Sequence, residues 1–260
     1  MTDRVARLTE LLRSPEPSLD RVLAVVASVD PEQPPAEDEV VDHLDELSQG
    51  CSADDSAAGV LAHLFGPAGF AANRSDYYDP SNSLIHRVLE RRRGIPLSLA
   101  AVAVEVGRRH GIELHPVGLP GHVLLGRAGG SGPWYDPFAG GVELDEDGCA
   151  GILAAIDPTV RFDRRMLAPM SPAAVAVRTL NNLRVAYASK GMADRLVPVL
   201  ELRANLPTGT IPDRVELARL LAGLGRVEQA AGEFERLAEL DGESADNHRS
   251  RARSLRARLN

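Results

Sequence analysis

The chain has 260 residues, 44% of them hydrophobic and 25% charged, and a formal net charge of −8. That length holds one large core or two small ones, and the composition is that of a globular chain and not of a disordered one. The negative charge argues against a general nucleic-acid-binding role, because phosphate contacts need clustered cations to displace counterions.

From Asp3 to Arg13, Val5, Leu8, Leu11 and Leu12 recur at helical spacing, and Pro15 and Pro17 end the segment. Ser18 is placed to cap a second helix carrying Leu19, Val22, Leu23, Val25 and Val26. After the break at Pro31 to Pro35, a third helix is predicted over Glu37 to Leu47 and a fourth from Asp55 to Phe65. These four form an expected N-terminal helical cover, residues 1–66.

Gly66-Pro67-Ala68-Gly69 is turn chemistry, and Phe70, one of five phenylalanines, is expected to anchor the next segment in the core. Asp79 before Pro80 predicts a capped helix start, with Leu84, Ile85, Val88 and Leu89 inward and Gly94 as a left-handed stop. Arg91-Arg92-Arg93 then reads as the solvated last turn, where positive charge complements the helix dipole. Pro96 to His110 is the predicted central helix: Leu97 to Val106 is apolar on nearly every side, so most of its circumference must be buried.

Beyond Gly111 the period changes. Strands are predicted at Glu113 to Gly118, Val123 to Arg127 and Trp134 to Asp136, with Pro120-Gly121 and Gly129-Gly130-Ser131-Gly132-Pro133 as turns. The acidic run Asp145-Glu146-Asp147-Gly148 reads as a surface closure of this core, residues 67–168. Residues 169–260 read as helices throughout: Ala173 to Lys190, Ala193 to Asn205, Asp213 to Leu224, Val227 to Leu240 and Ser244 to Leu259. The spacing of Leu217, Leu220, Leu224, Gly225, Arg226, Ala230 and Phe234 looks like a tetratricopeptide-type helix pair.

Three residues carry chemistry in a usable order. Ser98 falls in the first turn of the central helix, where free N–H groups favour an anion; His122 begins a strand and Asp136 ends the next. They form a candidate nucleophile, base and orienting carboxylate. Each also has a plain structural reading: Ser98 bonding its own backbone, His122 as a satisfied polar group, Asp136 capping a turn before Pro137. Cys51 and Cys149 stand alone without metal-ligand spacing, and His110 and His115 flank Gly111 at a separation unsuited to zinc. Gly129-Gly130-Ser131-Gly132 reads as a hairpin tip and not as a phosphate loop, so no cofactor and no metal are expected. The start Met1-Thr2-Asp3-Arg4 leads into an amphipathic pattern, and no apolar run approaches ~20 residues, so a cytoplasmic chain with no membrane contact is expected.

The stretch Asp76-x-Tyr78-Asp79-Pro80-x-Asn82-Ser83, then Val88-Leu89-x-Arg91-x-x-Gly94-Ile95-Pro96-Leu97-Ser98-Leu99, then Val117-Gly118-Leu119-Pro120-Gly121-His122, then Asp136-Pro137-Phe138-x-Gly140-Gly141 resembles the SirB1 family. The resemblance runs from the N-terminal helices to Asn181-Asn182-Leu183. It implies a mainly helical α+β fold: a transglutaminase-like, papain-like core with a small antiparallel sheet on a central helix, then an all-α tetratricopeptide-like lobe. Enzymes of that type use cysteine, histidine and aspartate; here Ser98 stands at the cysteine position, His122 and Asp136 match the other two, and neither Cys51 nor Cys149 lies in the nucleophile's place. A serine starts too weakly acidic for thiolate chemistry, so transglutamination is disfavoured. Two functions remain: a non-enzymatic or degenerate module that binds a protein or peptide partner, with a regulatory role by family association, or a hydrolase or acyltransferase using Ser98, His122 and Asp136.

Overall fold

The computed structural model describes residues 2–51, 56–130 and 132–258. The chain forms two compact units, one of residues 11–179 and one of residues 1–10 with 180–260. The first unit holds the helices after residue 18 together with the core, whereas most of the first helix, up to residue 10, groups with the C-terminal helices. The division falls inside the helix α8 (Pro172–Ser189).

The first unit is built on a helix that has to be surrounded. The helices α1 (Thr2–Arg13), α2 (Leu19–Ala27), α3 (Glu37–Gln49) and α4 (Ala57–Phe65) follow the predicted amphipathic periods. Ser18 sits at the N-cap of α2 without capping it, whereas the Ser56 hydroxyl accepts the Gly59 N–H at the start of α4; the predicted start at Asp55 lies outside the described residues. After α5 (Ile85–Arg91) comes the central helix α6 (Pro96–Arg109), which contacts α2, α3, α4 and α5. Leu97, Leu99, Val102 and Val106 are all buried. Its polar end is neutralised from within: Glu105 accepts the Leu19 N–H at 2.9 Å and holds Arg108 and Arg109 at 2.7 and 2.8 Å, and Asp20 holds the same two at 3.1 and 3.0 Å. Buried carboxylates need such partners, because an unpaired charge in the interior is strongly unfavourable.

Two local expectations are corrected. The helix predicted from Pro80 is a 3-10 turn, Pro80–Asn82, capped by Asp79, and α5 begins only at Ile85, because the Asn82 amide reaches back to the preceding loop. The left-handed stop is Arg92, at φ 52°, and not Gly94. Arg92 is held there by its guanidinium, which donates to the Ala68 carbonyl and lies 5.8 Å from the Phe70 ring. Gly94 is instead extended in β2 (Arg93–Gly94), which pairs in parallel with β1 (Ala71–Ala72). Arg91 of the basic run is likewise engaged, with Asp79 at 2.7 Å.

The second sheet is antiparallel in chain order: β3 (Leu114–Leu119), β4 (His122–Arg127), β5 (Trp134–Asp136) and β6 (Val142–Leu144). Its first two strands lie against α6. Neither β6 nor the helix α7 (Glu146–Ile156) is predicted by the sequence pattern. The acidic run taken for a surface loop starts α7, with the Asp145 carboxylate accepting the Gly148 N–H at 2.8 Å. Cys149 and Leu153 of α7 are buried, Cys149 beside Leu124 and Trp134.

In the second unit, α9 (Ala193–Asn205), α10 (Ile211–Gly223), α11 (Val227–Leu240) and α12 (Ala245–Arg256) pack each on the next. The predicted end of the last at Leu259 lies outside the described residues. Leu217, Ala230 and Phe234 of the sequence pattern are buried, and Gly225 turns the chain at φ 73°. A buried pair, Arg214 with Glu233 at 2.6 Å, joins α10 to α11, and Arg214 also donates to the Ala204 carbonyl. No helix among the described residues is long and apolar enough to cross a membrane.

Candidate functional site

The β4–β5 pairing sets Leu125 opposite Tyr135, so Asp136 falls opposite Leu124, and His122, two residues further along the same face, becomes its diagonal neighbour. The His122 Nε2 and Asp136 Oδ1 atoms are 3.0 Å apart. The same oxygen accepts the N–H groups of Phe138 and Ala139 at 2.8 and 3.3 Å, so Asp136 caps the 3-10 turn Pro137–Ala139 and orients the ring together. Burial alone would raise the Asp136 pKa, but the His122 hydrogen bond and charge and the two backbone N–H groups outweigh it and hold the carboxyl below its ordinary value. An ionised carboxylate only accepts, so Nε2 carries the proton and a neutral His122 ring keeps the lone pair at Nδ1. That nitrogen has no hydrogen-bond partner among the described residues and is not sealed from solvent. It is positioned as a base.

Ser98 is placed differently. Its hydroxyl donates to the Asn82 carbonyl at 2.6 Å, with the Ile95 carbonyl at 3.1 Å as second acceptor, and it accepts the Ile95 N–H at 3.1 Å. The residue is only 6% exposed. No hydrogen bond joins Ser98 to His122 among the described residues. The first turn of α6 otherwise holds Pro96 and Leu97, which have no side-chain heteroatom. Of the three residues read as a triad, then, two are bonded to each other and the third is bonded to backbone. The gap at Gly94 is what admits the serine: a Cβ there would lie 2.6 Å from Ser98 Oγ.

The bonds of Ser98 lead to residues that the sequence argument did not assign a role. Asn82, fully buried, accepts from the Asn73 amide at 2.9 Å and donates to the Asp76 and Tyr77 carbonyls at 2.8 and 3.2 Å. Ser98 and Asn82 thus fasten the loop that presents Tyr77 and Tyr78, which are 40% and 53% exposed. Their rings meet edge to face at 5.4 Å, Tyr77 meets Phe138 at 6.0 Å, and Phe138 meets His122 at 6.2 Å. Arg74 covers the Phe138 ring at 4.5 Å and donates to its carbonyl at 2.9 Å. Arg178 of α8 donates to the carbonyls of Leu119 and His122 at 3.0 and 2.7 Å, across the space left by Gly118. The Asp-Pro and Asn-Ser pairs around an aromatic dipeptide were the available signal for this loop. An open groove beside Trp134, Glu143, Asp145 and Arg164 includes neither His122 nor Asp136. Among the described residues, no three His, Cys, Asp or Glu side chains are grouped to hold a metal.

The architecture is α+β and mainly helical, a small antiparallel sheet on a central helix, with His122 and Asp136 bonded across adjacent strands. The family model of the transglutaminase-like superfamily matches residues 18–181, and the chain belongs to that superfamily. A UPF0162 protein of Xylella fastidiosa is 38% identical over 159 residues, 58% of this chain and 57% of its own length. A second, from Pseudomonas aeruginosa, is 32% identical over 200 residues, 74% of this chain and 72% of its own. The F-box only protein 21 of Mus musculus is 28% identical over 170 residues, 62% of this chain and 26% of its own length. The chain thus spans a little over half the length of the Xylella relative.

Proposed function

We propose that this chain is a SirB1-type, transglutaminase-like module that binds a protein or peptide partner and forms no covalent acyl intermediate. The observation that carries the reading is the state of Ser98: its proton goes to the Asn82 carbonyl, and the rest of the first turn of α6 has nothing to attack with. A nucleophile must reach its base, and this one is turned to backbone. The consecutive helices α9 to α12 support the reading as tetratricopeptide-like pairs, a type of array that presents extended surfaces to peptides. The presence of the matching segment within a quarter of the mouse F-box protein's length also favours a module. A regulatory role belongs to this reading by family association alone.

The test is labelling of the full chain with a fluorophosphonate probe. No modification of Ser98 is expected, together with binding in a peptide array. The second reading, a hydrolase or acyltransferase using Ser98, His122 and Asp136, is favoured by the 3.0 Å His122–Asp136 bond. Labelling abolished in Ser98→Ala and His122→Ala but kept in Cys51→Ala would establish it and remove the first.

A further inference from the structure

The chain has ten aromatic residues. Two of its tyrosines are exposed, and they continue a row of rings that runs from His122 through Phe138 to Tyr77 and then Tyr78. Exposing large rings is unfavourable unless something covers them, and here a buried network, Ser98 to Asn82 to Asn73, holds the loop in the exposing position. The charges beside them are as informative. Asp79 is paired with Arg91 at 2.7 Å, and Asp136 accepts from His122 Nε2 and from the N–H groups of Phe138 and Ala139. Arg74 and Arg178 are bonded to carbonyls, and neither has a carboxylate within ion-pair distance among the described residues. Burial pushes the Arg178 guanidinium below its ordinary value, with Tyr77 the one group acting the other way. A half-buried guanidinium without a counter-charge, in a chain of net charge −8, is an incomplete ion pair.

We propose that the surface formed by Tyr77, Tyr78, Phe138, Arg74 and Arg178 binds a short acidic peptide segment, its carboxylate taken by the two guanidinium groups and a neighbouring apolar side chain laid on the aromatic rings. The inference rests on the partner-binding reading above and supplies the partner's chemistry. Planar guanidinium groups match carboxylates, and tyrosines offer wide contact area at small entropic cost. A long polyanion would meet the net negative charge of the chain, whereas one or two carboxylates at these arginines meet only local positive charge. The His122 ring, edge-on to Phe138, lies at the same surface and offers Nδ1 as an acceptor to a peptide N–H.

The experiment is fluorescence anisotropy of the full chain with labelled ten-residue peptides of alternating glutamate and leucine, glutamine and leucine, and lysine and leucine, each amidated and with a free C-terminus. The glutamate peptide is expected to bind at least about tenfold more tightly than the glutamine one, and the lysine peptide not at all. A gain of the glutamine peptide on freeing its C-terminus would identify a terminal carboxylate as the ligand group. Arg74→Ala and Tyr78→Ala, both at exposed positions, are expected to weaken binding about tenfold or more, while the exposed Arg93→Ala leaves it unchanged; circular dichroism and urea unfolding confirm that each variant is folded. Equal binding of all three peptides, or undiminished binding to Arg74→Ala and Tyr78→Ala, overturns the acidic-peptide assignment and leaves the module reading standing. No binding of any peptide below about 1 mM overturns the assignment; hydrolysis of a peptide with Ser98 labelling overturns the module reading as well.

Discussion

Replacing Ser98 by alanine takes the acceptor from the Ile95 N–H and the donor from the Asn82 carbonyl, both in a buried setting. Such losses cost about 1–3 kcal/mol, so Ser98→Ala is expected to lower the unfolding free energy by that amount in urea titrations. Asp136 tests the other half of the site through pH. Its folded pKa lies below the unfolded value of about 3.9, so folding favours the ionised form. The resulting stabilisation is present above that value and lost as pH falls through the lower folded pKa. Asp136→Asn should therefore be less stable than the parent at pH 7, and the gap between their urea midpoints should narrow at pH 3. The His122–Asp136 bond could be anticipated from strand order, because consecutive antiparallel strands bring the start of one beside the end of the next. The direction of the Ser98 hydroxyl could not: its partner lies sixteen residues earlier, and the space it occupies depends on the absence of a Cβ at Gly94.

Between elements, the contact of β2 with α6 leaves no room for a side chain at Gly94. Gly94→Ala sets a methyl 2.6 Å from Ser98 Oγ and 3.2 Å from the Leu99 side chain, and overpacking of this kind costs about 1–3 kcal/mol. Because the first clash is with the hydroxyl itself, Gly94→Ala with Ser98→Ala should be destabilised by less than the sum of the single variants, measured as a double-mutant cycle in urea. The long amphipathic or wholly apolar helices were legible because their burial pattern is the same as their sequence period. β6 was not, since Val142 and Glu143 are both exposed and give no alternation. α7 was hidden by its own cap: three acidic residues and a glycine read as a loop, yet an acidic first turn is what a helix start favours. The shift of α5 from Pro80 to Ile85 has a side-chain cause, the Asn82 amide being turned to the Asp76–Tyr77 backbone.

At the scale of the molecule, each unit closes its own polar interior. In the second, Arg214→Ala would leave Glu233 buried with, among the described residues, only the half-exposed Arg236 as cation, a change expected to cost about 3 kcal/mol or more. Hydrogen exchange should then rise across α9 to α11, whose carbonyls and carboxylates Arg214 joins. In the first unit, Cys149 is fully enclosed, and burial together with the nearby Asp145 and Glu146 charges pushes its thiol up to about 11. At neutral pH it is almost never a thiolate and cannot be reached, so the folded chain ignores thiol-reactive dyes at this position. In a Cys51→Ala background, dye uptake should therefore track the departure of α7 from the sheet, and its rate should follow urea concentration as unfolding does. The molecule carries a stopwatch for its own opening.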